Sequence, residues 1–170
     1  METQAIWNSL IRDSEWASLF VGTERQLDNF VLRRPRGQGI VARIVRARRG
    51  GVETDVYQEW AAALQFPYYF GYNGPAFAEC VGDLSWLEGS VQIVFIAQTK
   101  YVCLEYLVPT LSYVNPDRLE AHERDPSRKF IPFRAVFHCE SQDMGVTQDL
   151  LKKAGLDDVP PAVRLPSELL

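Results

Sequence analysis

The stretch of residues 64–87 reads LQFPYYFGYNGPAFAECVGDLSWL and has an unusual composition for a small globular protein. Four aromatic side chains fall within residues 66–70, and a glycine follows them. The apolar run after that glycine carries two acids, Glu79 and Asp83, and the whole stretch has no Lys, Arg or His. This combination predicts an aromatic loop followed by an acidic helix.

A strand and a helix are predicted before this stretch. Residues 40–47 alternate imperfectly between apolar and basic side chains, which is typical of a strand. A turn is predicted at residues 48–51, and Thr54 or Asp55 can cap the helix that follows it. Pro67 ends that helix, because a proline disfavours the α conformation in the residue before it.

The loop and the acidic helix are separated by residues with special backbone preferences. Gly71 and Asn73 both tolerate left-handed backbone angles, which predicts an ordered loop over residues 66–73. Pro75 suits the first turn of a helix, and the apolar spacing extends that helix to Leu84.

Further along the chain, two apolar runs predict strands. Residues 91–97 are continuously apolar, as in a strand buried on both faces, and residues 133–139 alternate as a strand does. Residues 101–114 are compatible with a helix that Pro109 would kink or split. Residues 147–154 predict a short helix.

The alternation of strands and helices predicts an α/β fold with a small three-stranded parallel sheet flanked by helices. Residues 7–20 can form a helix, and residues 33–39 have the composition of a polar linker. We therefore predict an N-terminal extension at residues 1–39, a core domain at residues 40–140 and a C-terminal extension at residues 141–170.

Charge is unevenly distributed along the chain, although the formal net charge is only −4. Residues 50–99 carry six acids and no base, so their field would repel nucleic acid and attract a cationic partner. The alternative is that these acids form a solvated helix face. The basic segment 33–49 lacks interleaved aromatic residues, and we therefore expect no nucleic acid partner.

The sequence favours a cytoplasmic location. Its longest apolar runs, such as residues 91–97, are far too short to span a bilayer, so we expect no membrane partner. The N-terminus lacks the basic and apolar regions of a secretory signal. Cys80, Cys103 and Cys139 are odd in number and far apart, which is typical of reduced thiols in a cytosolic protein.

No catalytic constellation emerges from the residue pattern. His122 falls in a predicted charged loop over residues 122–129 and His138 in a predicted strand, so each is more typical of a surface or structural residue than of a base. Cys80 could approach His138 in space, but no spacing indicates that it does. No His, Cys or Asp cluster has metal-ligand spacing. We predict no enzyme activity, no catalytic residues, no metal and no cofactor.

The segment FPYYFGYN, followed by AFAECVGDLSWL, resembles the barstar family, the intracellular inhibitors of barnase-type ribonucleases. The resemblance is specific over residues 60–97 and extends over about residues 41–140. It implies the family fold, a three-stranded parallel sheet flanked by helices. The positions that fit the family's loop and helix are Phe66, Pro67, Tyr69, Phe70, Gly71, Asn73, Glu79, Cys80, Asp83, Leu84, Trp86 and Leu87.

The resemblance implies that the loop and the helix form one partner-binding surface. In the family, helix carboxylates take the place of RNA phosphates, and the aromatic loop covers the catalytic histidine of the ribonuclease. The candidate partner-binding residues carried over in this way are Tyr69, Asn73, Glu79 and Asp83. Charge pairs in a desolvated interface give specificity and fast encounter, and rigid aromatic rings supply contact area.

Three positions depart from the family pattern. Gly74 and Pro75 replace a bulky residue and an aspartate at the helix start, and Ala78 stands where barstar itself has an aromatic residue. The first hypothesis is a bacterial immunity protein that inhibits a basic ribonuclease or related toxin and is monomeric when free. The alternative is a diverged module of the same fold, with a different partner and no inhibitory role.

Overall fold

The computed structural model describes residues 2–46 and 53–170. Within these residues the chain forms one sheet of five strands with six α-helices around it. The strands are β1 (Ala17–Val21), β2 (Ile40–Arg46), β3 (Val91–Ala97), β4 (Phe133–Cys139) and β5 (Ala162–Arg164). The helices are α1 (Thr3–Arg12), α2 (Glu24–Leu32), α3 (Glu53–Leu64), α4 (Gly74–Asp83), α5 (Leu104–Arg124) and α6 (Met144–Lys153).

The sheet is parallel throughout, with the strand order β2-β3-β4-β1-β5. The prediction of a three-stranded sheet with terminal extensions is therefore wrong. The three expected strands are β2, β3 and β4, and the two additional ones come from the segments that we predicted as extensions. The predicted residue boundaries between domains stay a prediction.

The first additional strand begins within residues 7–20, which the sequence allows to form a helix, but the helix ends within this range. Helix α1 ends at Arg12, and Asp13 adopts an extended backbone before β1 begins at Ala17. The apolar residues of β1 suit a helix or a strand equally well. Parallel pairing with β4 on one side and β5 on the other decides in favour of a strand.

Helices cover both faces of the sheet and leave a core on each side. On one face, α1 and α2 pack around an aromatic cluster in which Trp7 stacks on Phe30 at a centroid distance of 4.6 Å, with Phe95 of β3 edge-on to both. The other face carries α3, α4, α5 and α6 over a second core. Burial of β3 and β4 on both faces explains why apolar residues predominate in both strands, although β4 also contains Arg134 and His138.

Helix α5 is longer than predicted. It runs for 21 residues through both Pro109 and Pro116, so Pro109 does not split it, and a kink at Pro109 stays a prediction. A proline removes one backbone donor from a helix. The hydroxyls of Thr110 and Ser112 donate to carbonyl oxygens of the same segment, those of Tyr106 and Pro109. Because the helix continues to Arg124, His122 lies on its last turn and not in a loop.

The connection from α3 to α4 places the aromatic loop. Thr54 and Asp55 lie inside α3, so the prediction that one of them caps this helix is wrong. The predicted turn at residues 48–51 lies outside the described residues. Left-handed backbone angles occur at Gln65 and Tyr72 and not at the predicted Gly71 and Asn73.

Candidate functional site

The aromatic loop has an inward-facing and an outward-facing set of side chains. Phe66 and Phe70 pack edge-to-face at a centroid distance of 5.0 Å and join the core beneath α3 and α4. Tyr68, Tyr69 and Tyr72 point outward, with 101%, 63% and 52% of their surface exposed. The phenylalanines thus anchor the loop, and the tyrosines supply rigid, exposed area that a partner can cover.

Asn73 joins this loop to α4. Its side-chain Oδ1 accepts a hydrogen bond from the Ala76 backbone N–H at 3.0 Å, and its Nδ2 donates to the Gly71 carbonyl at 3.2 Å. It is therefore the N-cap of α4, with Pro75 in the first turn behind it. The structure gives Asn73 a positioning role, and direct contact of its side chain with a partner stays a prediction.

Glu79 and Asp83 lie one turn apart on α4, and both are exposed. Tyr69 of the loop lies close to them. Partial desolvation raises the pKa of the Tyr69 hydroxyl, and the neighbouring Cys80, Asp83 and Glu79 raise it further. Among the described residues, no Lys or Arg forms an ion pair with Glu79 or Asp83. The structure thus brings together three of the four candidate residues on an exposed acidic surface, and the guanidinium of Arg118 on α5 interacts electrostatically with Asp83.

The N-terminus of α4 is closed by a residue that sequence reasoning missed. A Cβ atom at Gly74 would lie 2.8 Å from the hydroxyl oxygen of Tyr106, which projects from α5. Tyr106 therefore takes the space above Gly74 that a bulky residue would need, and it is itself 41% exposed. Tyr106 of α5 thus places an aromatic ring beside Gly74, where α4 has no side chain of its own.

The C-terminus of α4 is held by a second residue that sequence reasoning missed, Arg118 of α5. Its guanidinium donates hydrogen bonds to the carbonyl oxygens of Val81 at 3.1 Å and Gly82 at 2.8 Å. Burial lowers the pKa of Arg118 to about 10, so the group remains charged at neutral pH. A cation at the C-terminus of a helix satisfies its last carbonyls and its dipole. Arg118 is therefore a positioning residue for the acidic helix.

Trp60 and Trp86 support the site from below. Trp60 is fully buried against Phe77 of α4, with ring centroids 5.2 Å apart. Trp86 is only partly buried, and its indole N–H donates to the Leu64 carbonyl at 2.8 Å. These contacts fix the end of α3 and the residues after α4 to a common core.

Both ring nitrogens of His138 have backbone partners. The His138 Nε2–H donates to the Gly22 carbonyl at 3.0 Å, and Nδ1 accepts from the Gln98 backbone N–H at 3.4 Å. The pKa of the Cys80 thiol is raised, first by burial and then by the nearby Glu79 and Asp83. Within residues 2–46 and 53–170, no group of three or more His, Cys, Asp or Glu residues could hold a metal ion.

The segment from β2 to the residue before α5, which includes the loop and α4, has a recognisable family pattern. Residues 42–103 match the family model of Barstar (barnase inhibitor). The predicted resemblance to the barstar family is confirmed over this segment, which holds all four candidate residues: Tyr69, Asn73, Glu79 and Asp83. A comparison with curated protein sequences gave no match.

The whole fold is similar to that of a solved structure, the Aeropyrum pernix ORC2 protein, with a TM-score of 0.60 and 10% sequence identity. The likeness covers 97% of this chain and 46% of the ORC2 chain, so this chain spans less than half of that protein. At this identity the likeness concerns the fold alone. It supports a five-stranded α/β sheet into which the barstar-like segment is built. In the part of the chain that the structure describes, no helix is long and apolar enough to cross a membrane.

Proposed function

We propose that this protein binds a basic ribonuclease or a related cationic toxin and blocks its active site with the aromatic loop and α4. The observation that carries the proposal is the position of Tyr69 beside Glu79 and Asp83 on an exposed surface, where no Lys or Arg of the described residues forms an ion pair with either acid. The match of residues 42–103 to the barnase-inhibitor family supports it. An active site that binds RNA phosphates is complementary to such a surface.

The carboxylates of α4 and the tyrosine of the loop contribute to the proposed binding in different ways. The carboxylates of Glu79 and Asp83 steer a cationic partner towards α4 and pair with its Arg or Lys side chains as water leaves. Tyr69 adds contact area at low entropic cost, since its ring has few rotatable bonds. Asn73 acts by holding the loop on α4, which keeps the tyrosine and the acids in one surface.

Inhibition of RNA cleavage tests the proposal, with barnase and other basic ribonucleases as the probes. The parent protein should inhibit at least one of them, and Glu79→Gln should weaken binding by about 2–5 kcal/mol, mostly in the off-rate. This range is typical of buried charge pairs, and the barnase–barstar complex itself contributes to it. The on-rate should fall between low and physiological salt, because the Debye length shrinks to about 8 Å.

A matched control removes a carboxylate elsewhere. Asp149 is exposed on α6, and Asp149→Asn should leave inhibition unchanged. Tyr69→Ala should weaken binding at low and high salt alike, because it removes packing and no formal charge. If no ribonuclease is inhibited, or if Glu79→Gln and Asp149→Asn inhibit equally well, the proposed function is wrong.

The second candidate is a barstar-fold binding module with another partner and no inhibitory role. Its supporting observation is the altered start of α4, where Tyr106 closes over Gly74 and Pro75 occupies an acidic position of the family. The same experiment separates the two functions. A partner that loses affinity with Glu79→Gln but is not a nuclease favours this second candidate.

The fold likeness to ORC2 does not lead us to propose nucleotide binding. That structure was solved as ADPNP and ADP complexes. In this chain only Gly22 and Thr23 connect β1 to α2, and the Thr23 side chain already accepts from the Gln26 backbone N–H in a capping box. The sequence also lacks the glycine-rich lysine motif that cradles phosphates.

We further propose a non-enzymatic immunity protein that acts in the cytoplasm and is monomeric when free. Cys80, Cys103 and Cys139 are all free thiols, which suits a reducing compartment. Sedimentation of the purified chain, alone and with an inhibited ribonuclease, tests the monomeric state.

A further inference from the structure

A groove of about 330 Å³ lies between α4 and α5, next to the proposed binding surface. Ala78 and Gly82 of α4 line one side of it. Pro109, Tyr113 and Asp117 line the other side, on α5. Each helix contributes residues four positions apart, which lie on one helix face. The groove therefore extends the surface of Tyr69, Glu79 and Asp83 sideways onto α5.

Gly82 keeps this groove open. A Cβ atom at position 82 would meet no other atom within 4 Å, so no contact in the fold requires glycine there. Its backbone is helical with a negative φ, a conformation in which glycine is less stable than alanine. Gly74, in contrast, has the Tyr106 hydroxyl in its way. A larger residue at position 82 would extend into the groove, whereas glycine leaves the groove open.

The chemistry of the groove suits a guanidinium group. Tyr113 is 64% exposed and offers an aromatic face, and Asp117 is exposed one turn further along α5. In the described residues no Lys or Arg forms an ion pair with Asp117. Arg118 donates to the Gly82 carbonyl, but its guanidinium is already bonded to backbone carbonyls and Gln92 and does not line the groove. A planar guanidinium can stack on a tyrosine ring and pair with a carboxylate at the same time, and the apolar stem of arginine can lie along Ala78 and Pro109.

We propose that this groove receives one arginine side chain of the protein partner, with Tyr113 and Asp117 as specificity-determining residues. The inference rests on the proposed function, because it names a feature of the partner that binds beside Glu79. It places part of the recognition on α5, outside the segment that matches the barstar family.

Amide chemical shifts of the labelled full chain test the groove without any ribonuclease. The probe is N-acetyl-arginine methylamide, and its control is the citrulline analogue, which has nearly the same shape and no charge. The arginine probe should shift the amides of Gly82 and Tyr113 in a saturable way, whereas the citrulline and lysine analogues should bind several-fold more weakly.

Three variants locate the binding. Gly82→Leu should fill the groove and abolish the shifts. Asp117→Asn should weaken binding of the arginine probe about two- to fivefold, as expected for loss of one exposed ion pair. Tyr113→Phe should retain most of the affinity for the probe. Asp149→Asn is the matched control. Equal binding of arginine and citrulline, or of the parent and Gly82→Leu, would overturn the inference.

Inhibition assays separate this inference from the proposed function. If Glu79→Gln abolishes inhibition of a ribonuclease while Tyr113→Ala and Asp117→Asn leave it unchanged, the groove is not part of the interface and the inference is wrong. If arginine binds in the groove but no ribonuclease is inhibited, the proposed function is wrong and the inference stands for another partner.

Discussion

Replacement of Arg118 by methionine is expected to destabilise the fold through α4. The guanidinium connects three parts of the chain. It donates to the carbonyl oxygens of Val81 and Gly82 at the end of α4, to Gln92 Oε1 at 2.8 Å in β3, and to the Ile131 carbonyl at 2.9 Å before β4. Methionine keeps much of the apolar stem and removes every one of these donors.

The expected loss of stability comes from the carbonyl oxygens that no longer accept a hydrogen bond from Arg118. An acceptor that is left unsatisfied in a buried position costs about 1–3 kcal/mol, and the two on α4 are the most constrained by the helix. Arg118→Met also removes the cost of burying a charge, and this gain offsets part of the loss. The lowered pKa of Arg118 reflects that cost. We expect Arg118→Met to lower the free energy of unfolding by about 3–5 kcal/mol, a large part of the stability of a typical domain.

Urea unfolding followed by tryptophan fluorescence measures this change. Arg124 lies on the same helix with 76% of its side chain exposed, and its ion pair with Glu120 is on the surface. Arg124→Met is therefore the matched control and should cost less than about 1 kcal/mol. Hydrogen exchange should also become faster in the last turn of α4. A loss no larger than that of the control would refute the idea that Arg118 holds the acidic helix.

Three further predictions concern stability and pH. Trp60→Ala should cost about 3–5 kcal/mol in urea unfolding, because the indole is fully buried against Phe77, and a cost below 1 kcal/mol would contradict its core position. Gly82→Ala should raise the free energy of unfolding by about 0.5–1 kcal/mol, since the added methyl group meets open space, and any destabilisation would show an unrecognised contact. Burial lowers the pKa of His138 in the folded state, so the unfolded chain takes up the proton first and stability should fall as the pH drops below about 6.5. His138→Gln should flatten that part of a melting-temperature profile, and identical profiles for both proteins would exclude His138 as the cause.

The central strands could be predicted from sequence because their own residues show the patterns that are typical of strands. Residues 91–97 form a continuous apolar run, as expected for a strand covered by helices on both faces, and residues 133–139 show the alternation that is typical of a strand. The edge strand β5 has three residues and, among the described residues, pairs with β1 alone. A segment so short has no periodicity of its own, so its structure is decided by the neighbouring strand and not by its sequence.

The candidate site also has one part that could be predicted from the sequence and another that could not. The aromatic loop and the acidic helix are continuous in sequence, and their proline, glycine and capping residues mark the ends of each element. Tyr106 and Arg118 reach the site from α5, more than 30 residues after Gly74 and Gly82. No spacing rule links residues so far apart, since only the packing of two helices on one face of the sheet brings them together.

The site therefore depends on more of the chain than its family pattern covers. Residues 42–103 supply β3, α3, α4 and nearly all of β2, but the Arg118 that holds the end of α4 lies beyond them. Strand β3 also needs β4 as its second neighbour, because all seven of its residues are buried. We therefore expect substitutions on α5 to change the proposed recognition while the loop and α4 stay the same. We propose Tyr106 and Tyr113 as the positions that test this expectation, since both project from α5 outside residues 42–103.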